Sequence, residues 1–538
     1  MFAWCSDLEE VIFGDDINTS ELVNAGILFQ GCKKLTSVDL SKFNFSKVTS
    51  FIAMFLDCNK LTSIDFGNID TSSLVNTEKT FQNCLKLTSV DLSKFNFSKV
   101  TNMEYMFHNC VNLEVVYFGD INSSSLQTVS AMFQLCSKLT SMDLSKFELS
   151  KVESMYVMFE GCSNLQSANF GTSTTSALLN TQKLFNNCPN LISADFSYFD
   201  FSKVINMELM FNGCLELQDV NFGTTATSNL QHMRELFNGC SQLISVDLSH
   251  FDFSKVIDMD MAFKRCSKIE QIKFGTTHTS ALKQALQLFE GCSKLESIDL
   301  SNFDTSQVTT MDSMFKDCLS IKYLDLRNFQ TTQITTVNSM FSGGASFIYL
   351  NLYNFIIDNS KNWNNIFQNL PQNAIICIHD EDTKNLLLGS SRISLCSEDC
   401  FNSLNTKIDI NGQKCVETCL NAGENKYEYK NKCDNKCPSG TLLSDFLCLD
   451  KNCNGVEFSE NNIECEDDKP IGFYLDSSDN VYKKCYETCK ICEAGGDATN
   501  HNCSECNSGF RFLNDFENDK NCYENCSHYY YFDSSSTY

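Results

Sequence analysis

Apolar positions recur along the first two thirds of the chain with a step of 26 residues. One unit, residues 87–110, reads LTSVDLSKFNFSKVTNMEYMFHNC. Leu87, Val90 and Leu92 have the spacing of a short strand whose inward side chains stack on neighbouring units. Val100, Met103, Met106, Phe107 and Cys110 follow at helical spacing, an apolar stripe over about three turns. Phenylalanine marks the period, from Phe2 and Phe29 through Phe55, Phe81 and Phe107 to Phe341 and Phe367, which makes fifteen units. Thirteen cysteines recur with it, Cys5, Cys32, Cys58 and onward to Cys318, with every interval 26 after a first one of 27. A period of this length means a solenoid or a propeller, and a propeller blade needs four strands in about 40 residues. The pattern therefore predicts an α/β solenoid, a leucine-rich-repeat-type coil with one short strand and one helix per unit.

A second period of 52 residues lies over the first. Units with DLSKF (Asp39, Asp91, Asp143) alternate with Phe-Gly units (Phe66-Gly67, Phe118-Gly119, Phe170-Gly171, Phe222-Gly223, Phe274-Gly275), and the alternation lapses after Gly275. Glycine there predicts a positive φ at the strand exit. The string L-x-x-x-D-L-S-x-F-x-x-S-x-V-x-x-M-x-x-M-F-x-x-C, at 87–110 and 295–318, resembles the 26-residue repeat of BspA-like surface proteins. The resemblance covers roughly residues 1–370. It implies a surface-displayed leucine-rich-repeat protein of the kind linked to adhesion, and it carries no catalytic residues.

Three segments are expected: a solenoid over 1–370, a carboxyl-terminal cap over 371–395, and a cysteine-rich tail over 396–538. Within the cap, AIICIHDEDTKNLLL (374–388) reads as a last strand and a short amphipathic helix opening on Asp380-Glu381-Asp382. Met1-Phe2 falls inside the second half of a unit, with neither a cap nor a signal peptide before it. A truncated start is the expected reading, against a cytosolic protein as the alternative, and any membrane anchor is expected beyond residue 538.

The tail holds sixteen cysteines: Cys396, Cys400, Cys415, Cys419, Cys433, Cys437, Cys448, Cys453, Cys465, Cys485, Cys489, Cys492, Cys503, Cys506, Cys522 and Cys526. It is poor in aliphatic residues, so a small disulfide-rich, loop-dominated region is expected. Cys489-x-x-Cys492 and Cys503-x-x-Cys506 also have zinc-ribbon spacing. Flanking Cys485 and Gly509-Phe510 weigh toward disulfides, and the block is similar to furin-like or growth-factor-receptor cysteine-rich repeats. Cys433-x3-Cys437-Pro438-x-Gly440 resembles their C-P-x-G variant. Connectivity stays open. The thirteen periodic cysteines are either a ladder of reactive thiols or small apolar residues filling a narrow slot, and the slot is the stronger reading.

Composition narrows the function. The 538 residues carry 67 acidic and 41 basic side chains, a net charge of -26. No basic stripe for nucleic acid is evident, and no apolar run is long enough to cross a membrane. Seven scattered histidines, with no phosphate loop, dinucleotide fingerprint, H-E-x-x-H or G-x-S-x-G, argue against an enzyme and call for no cofactor.

Binding is the remaining class, and the outward strand positions are where it belongs. One column there runs Asp39, Asp65, Asp91, Tyr117, Asp143, Asn169, Asp195, Asn221, Asp247, Lys273, Asp299, Asp325, Asn351. It is either a stripe for a cationic ligand or a solvated, hydrogen-bonded polar ladder, and the ladder is the stronger reading. Interface hot spots favour tyrosine and arginine, so Tyr117, Lys273, Tyr323, Arg327, Tyr349 and Tyr353 are the candidate partner-binding residues. N-x-S sequons at Asn18, Asn44, Asn96, Asn122, Asn502 and Asn525 permit glycosylation. The whole indicates an extracellular or cell-surface recognition protein for a protein or glycan partner, without catalysis. The alternative is an intracellular scaffold with reduced thiols and a zinc-binding tail.

Overall fold

The computed structural model describes residues 2–371 apart from 15 and 357–361, then 374–379, 382, 383 and 386, and a series of short segments from Ile393 to Glu524. The chain divides into two compact units, Met1–Cys396 and Ser397–Tyr538. The first is a parallel β-solenoid. Thirteen consecutive parallel bridges, from Asn24–Ser50 to Thr336–Asn362, join each unit to the next at a fixed 26-residue step.

Leu87, Val90 and Leu92 all point inward, with at most 6% exposure. The strands they belong to are short and pair in twos: β1 (Ser37–Asp39) with β2 (Ser63–Asp65), β3 (Ser89–Asp91) with β4 (Val115–Tyr117), β5 (Ser141–Asp143) with β6 (Ser167–Asn169). The series continues with β7 (Ser193–Asp195) on β8 (Asp219–Asn221) and β9 (Ser245–Leu248) on β10 (Gln271–Phe274). After a gap, β11 (Tyr323–Asp325), β12 (Tyr349–Asn351), β13 (Ile375–Ile378) and β14 (Ile393–Leu395) form one parallel sheet.

Among the described residues, the expected helix is absent from the units of the solenoid. Val100, Met103, Met106, Phe107 and Cys110 are buried as a stripe should be, but the backbone beneath them is a ribbon of turns. Alternate residues reach the next rung, with Met103, Tyr105, Phe107 and Asn109 N–H groups donating to the carbonyls of Thr128, Ser130, Met132 and Gln134 at 2.7–3.1 Å. The residues between close i→i−3 turns, Met106 onto Met103, His108 onto Tyr105 and Cys110 onto Phe107. The reason is spacing. The phenylalanine of each rung stacks on its neighbours with ring centroids 5.2 Å (Phe81–Phe107) to 6.0 Å (Phe341–Phe367) apart. Packed helices need about 8–10 Å between axes, so helices cannot follow one another at this step. A single layer of hydrogen-bonded backbone can. Among the described residues, helical backbone occurs only at Asp382, Thr383 and Leu386.

The ribbon demands two left-handed residues per unit, four positions apart. The second site is mostly glycine, asparagine or aspartate, as at Gly31 (φ 75°), Asn109 (φ 58°) and Gly213 (φ 75°), which accept this conformation at low cost. The first is never glycine: Ile27, Tyr105, Val157 and Met261 all hold φ between 50° and 56°. Inter-rung hydrogen bonds on both sides keep them there.

The 52-residue period is a packing device. In Phe-Gly units the large ring sits at Phe66, Phe118, Phe170, Phe222 or Phe274. It meets the following unit edge-to-face, against Phe95, Phe147, Phe199, Phe251 or Phe303, with centroids 5.0–5.1 Å apart. Five residues further on, the Phe45, Phe97 or Phe201 of one unit type is replaced by a buried Thr71, Thr175 or Thr227 in the other. The Thr71 hydroxyl accepts the Asn96 N–H at 2.7 Å and donates to its carbonyl, and Thr175 does the same to Asp200. Gly67 takes φ 59° and lies so close to the preceding unit that a Cβ would stand 2.7 Å from Ser41 Cα. Gly119, Gly171 and Gly223 share the positive φ. Gly275 lacks a positive φ and instead lies 2.7 Å, measured from an added Cβ, from the Ser249 carbonyl.

In the second unit the described segments are mainly short strands. Six short strands between Lys407 and Asp450 form three hairpins in one sheet. Antiparallel pairs follow at Val456–Ser459 with Asn462–Cys465, Phe473–Asp476 with Val481–Lys484, Cys489–Cys492 with Cys503–Cys506, and Phe510–Arg511 with Tyr523–Glu524.

Leu135 breaks the rule of the second left-handed site, holding φ 63° with its side chain 41% exposed. Leu135→Gly is therefore expected to stabilise the solenoid by about 0.5–1 kcal/mol. Gly213→Val, at φ 75°, should destabilise it by about 1–3 kcal/mol. Urea-denaturation midpoints of the two variants check this; a fall for Leu135→Gly contradicts the ribbon geometry.

Candidate functional site

The outward column on the strand face is held from within the repeat. Asp39, Asp91 and Asp143 each accept the backbone N–H of the serine two residues on, at 2.8–3.0 Å. Asp65 does the same for Gly67, and Asn169 and Asn221 for Gly171 and Gly223. Each is an Asx turn that ends a strand. Hydrogen bonds from Ser41 and Ser93, side chain and backbone, hold the Asp39 and Asp91 carboxyls below their ordinary range, with Lys42 and Lys94 adding attraction. Where the next rung carries an amide or an amine, it donates to the carboxylate before it. Asn169 reaches Asp143, Asn221 reaches Asp195, and Lys273 reaches Asp247 at 3.2 Å. The column is thus a polar ladder that satisfies itself.

The six candidate partner residues lie on this face but are not one patch. Tyr117 on β4 stands alone, 56% exposed. Lys273 on β10 is paired with Asp247. Tyr323 and Tyr349 are direct register partners on β11 and β12, and both are half-buried. Burial, with the Asp325 charge next, pushes the Tyr349 hydroxyl pKa up. Arg327 donates Nε and Nη2 to Asp325 Oδ2. Tyr353 packs its ring 4.6 Å from that of His379. Asn351, whose equivalents are exposed, is only 1% exposed.

Strand hydrogen bonds lapse at every second junction up to β10, and at residues 297–299 they lapse on both sides of a rung. Ser297, Ile298 and Asp299 occupy strand register but form no backbone hydrogen bond with the rung before or after, among the described residues. A cleft of about 310 Å³ opens there, lined by Gln271, Lys273, Phe274, Ser297, Asp299 and Asn302 among others. It coincides with the lapse of the 52-residue alternation after Gly275. Beyond it a different device joins the rungs: Asn328 donates to the Leu300 and Phe303 carbonyls at 2.9 and 2.8 Å, and Asn354 to that of Arg327. Sequence reading kept Lys273 as a candidate but missed the interruption, because DLSNF at 299–303 differs from DLSKF by one letter.

The periodic cysteines are free thiols, all buried except Cys5. Twelve of them, Cys32 to Cys318, donate S–H to the phenylalanine carbonyl of the preceding rung at 3.0–3.3 Å, as Cys110 does to Phe81. The slot-filling reading stands, with a hydrogen bond that spacing alone did not reveal. Burial pushes the Cys110, Cys162 and Cys214 thiols up to about 12. Gly344 replaces cysteine in one unit because the Phe347 ring fills the space, 2.2 Å from where a Cβ would stand.

In the second unit, Cys485–Cys492 and Cys489–Cys503 are disulfides. Three of the four thiols of the zinc-type spacing are therefore engaged otherwise. Cys377, left outside the stapled set on sequence, is disulfide-bonded. The side chains of Cys396, Cys400, Cys415, Cys419, Cys433, Cys437, Cys448, Cys453, Cys465, Cys506, Cys522 and Cys526 lie outside the described residues, as do Asn502 and Asn525. Asn18, Asn44, Asn96 and Asn122 occupy one column and are exposed. Asn44 and Asn96 each accept both the N–H and the hydroxyl of the serine two residues on. Asp200 and Asp252 make the same turn in other units, so the repeat itself calls for asparagine or aspartate two residues before serine. No group of histidine, cysteine or carboxylate side chains that could hold a metal ion occurs among the described residues. No described helix is long and apolar enough to cross a membrane.

Four overlapping segments, residues 1–117, 81–188, 162–273 and 261–376, match the family described as "Mycoplasma protein of unknown function, DUF285". No curated protein matches the chain. Among solved structures, the chain is similar to an internalin from Listeria monocytogenes, at 13% identity and TM-score 0.23, over 68% of this chain and 87% of that one. It is similar to a leucine-rich cell-surface protein from Faecalibacterium prausnitzii, at 18% identity and TM-score 0.26, over 48% and 74%. A third is the pneumococcal vaccine antigen PcpA, at 12% identity and TM-score 0.23, over 67% and 83%.

The thiols give a pH signature. Unfolded thiols ionise near pH 9, whereas the buried ones keep their protons to about pH 12. Below pH 9 both states are neutral and stability is intact. Between 9 and 12 the unfolded state releases protons that the folded state holds, so stability falls as pH rises, by about 1.4 kcal/mol per thiol per pH unit. Denaturation midpoints should drop steeply across that window, less steeply in Cys162→Ala. Thiolate absorbance appearing near pH 9 in the folded protein would show the thiols to be accessible.

Proposed function

The chain belongs to the DUF285 family, which it matches over residues 1–376, and on that premise we propose that it is a non-catalytic recognition protein of the leucine-rich-repeat type, working at the cell surface or outside the cell. The observation that carries the reading is the division of labour within each rung. Inward positions, turn positions and the aspartate and asparagine members of the outward column are committed to the fold, while the remaining outward strand positions present changing side chains on a pre-ordered backbone. Such a surface binds a protein or glycan without a large ordering cost.

Disulfides at Cys485–Cys492 and Cys489–Cys503 support an oxidising compartment, and the intracellular zinc scaffold loses ground to the same extent. The tail, with its resemblance to furin-like repeats, serves as a spacer stapled by disulfides. Tyr117, Lys273, Tyr323, Arg327, Tyr349 and Tyr353 are the residues proposed to meet the partner. Adhesion is the use to which the BspA-like repeat points.

Two measurements test this. Of 30 cysteines, 13 are free in the ladder, leaving an odd 17; protein secreted from eukaryotic cells should therefore show about fourteen free thiols on denaturation and no zinc. Thirty free thiols with bound zinc would move the protein inside the cell. Second, the full chain immobilised against a panel of matrix and cell-surface proteins and glycans should bind at least one. Tyr117→Ala or Tyr323→Ala should weaken that binding at least tenfold, whereas Lys79→Ala on the turn ribbon should not. Equal effects from both faces would overturn the assignment.

A further inference from the structure

The strand face has depth at the interrupted rung, as it has beside Val11, Phe13, Ser37 and Asp39, where a cleft of about 270 Å³ opens; the chemistry of the cleft at the interrupted rung selects a ligand class. We propose that the cleft between residues 271–277 and 297–303 binds a neutral sugar residue of a glycan; this rests on the recognition reading above and names the ligand of one site on that face.

The electrostatics come first. Lys273 is already paired with Asp247 at 3.2 Å, and Asp299 follows it in the same column, so these three charges sum to one negative. An anionic ligand would have to take Lys273 from its partner against a second carboxylate. A cationic ligand finds only one carboxylate within the cleft, and Asp299 Oδ1 already accepts the Ser301 N–H at 2.9 Å. Neither sign of net charge is favoured.

A polyhydroxylated neutral ligand fits what remains. Gln271 and Ser297 are exposed at the rim and supply groups that both donate and accept. Asn302 uses its amide nitrogen on the Gly275 carbonyl, at 3.4 Å, and keeps its oxygen as an acceptor. The backbone of Ser297–Asp299 adds N–H and C=O groups that no neighbouring rung takes. Phe274, half-buried where its equivalents Phe66, Phe118, Phe170 and Phe222 are buried, gives an apolar surface for the ring face of a sugar. At about 310 Å³ the cleft is of ligand-pocket size. The core beneath is undisturbed, since Phe274 and Phe303 keep the 5.1 Å contact seen in the other pairs. The opening is thus confined to the face.

The test is a glycan array probed with the full chain, carrying neutral hexose- and N-acetylhexosamine-terminated oligosaccharides beside sialylated and sulfated ones. At least one neutral glycan should bind. Ser297→Trp, an exposed position, should fill the cleft and reduce that binding at least tenfold with an unchanged melting temperature. Gln271→Ala should weaken it severalfold without occluding anything, and Lys79→Ala on the turn ribbon should have no effect. Binding confined to acidic glycans, no glycan binding at all, or neutral-glycan binding untouched by Ser297→Trp and Gln271→Ala would each overturn the proposal. If the protein panel still yields a partner sensitive to Tyr323→Ala, recognition on the strand face stands and only the sugar site falls.

Discussion

The distance between successive rungs governs this molecule. Phenylalanine rings stacked 5.2–6.0 Å apart set a step close to that of hydrogen-bonded strands, about 4.8 Å, and well below that of packed helices. Every part of a unit must therefore be one backbone layer thick, with its N–H and C=O groups turned toward the rungs on either side. The turn ribbon is the consequence. So are the left-handed residues, which cost about 1–2 kcal/mol each when they carry a side chain and are tolerated because neighbouring rungs bond them from both sides.

The same constraint explains why so many polar motifs belong to the fold. A rung that turns several times in 26 residues leaves backbone donors that no strand satisfies, and buried donors without partners are costly. Asp39-x-Ser41, Asn44-x-Ser46 and the hydroxyl of Thr71 each satisfy one such group, in the same unit or the next. The aspartate column and the sequons are written in the same residues for that reason, and the cysteine ladder adds an S–H donor to carbonyls already present in the core. Charge follows from this, since an Asx turn works with aspartate or asparagine alike and the chain uses both.

Recognition is left to the positions that the fold does not use, and these change character late in the array. Up to Gly275 paired units alternate. From residue 297 onward asparagine side chains, Asn302, Asn328 and Asn354, add to the join between rungs, and at the changeover one strand pairs on neither side. The irregularity of the array lies where the alternation of its units lapses, and the cleft opens there.

Periodicity, the inward strand residues and the single buried stripe of each unit were legible in the sequence, because burial of apolar side chains imposes a spacing whatever the backbone does. Leu87, Val90, Phe107 and Cys110 are where that spacing puts them. The secondary structure under the stripe was not legible. Positions i, i+3, i+4 and i+7 face one way in a helix, and they do so equally in a ribbon of i→i−3 turns. Only the rung spacing, a property of stacked units, distinguishes the two. Glycine, asparagine or aspartate precedes most of the periodic cysteines and accepts the left-handed conformation readily, but Tyr105 and Val157 give no such sign, since their conformation is imposed by hydrogen bonds from other units. The cleft at Lys273 was likewise decided by tertiary structure: whether two strands pair depends on both rungs and their exits, and no single unit records it.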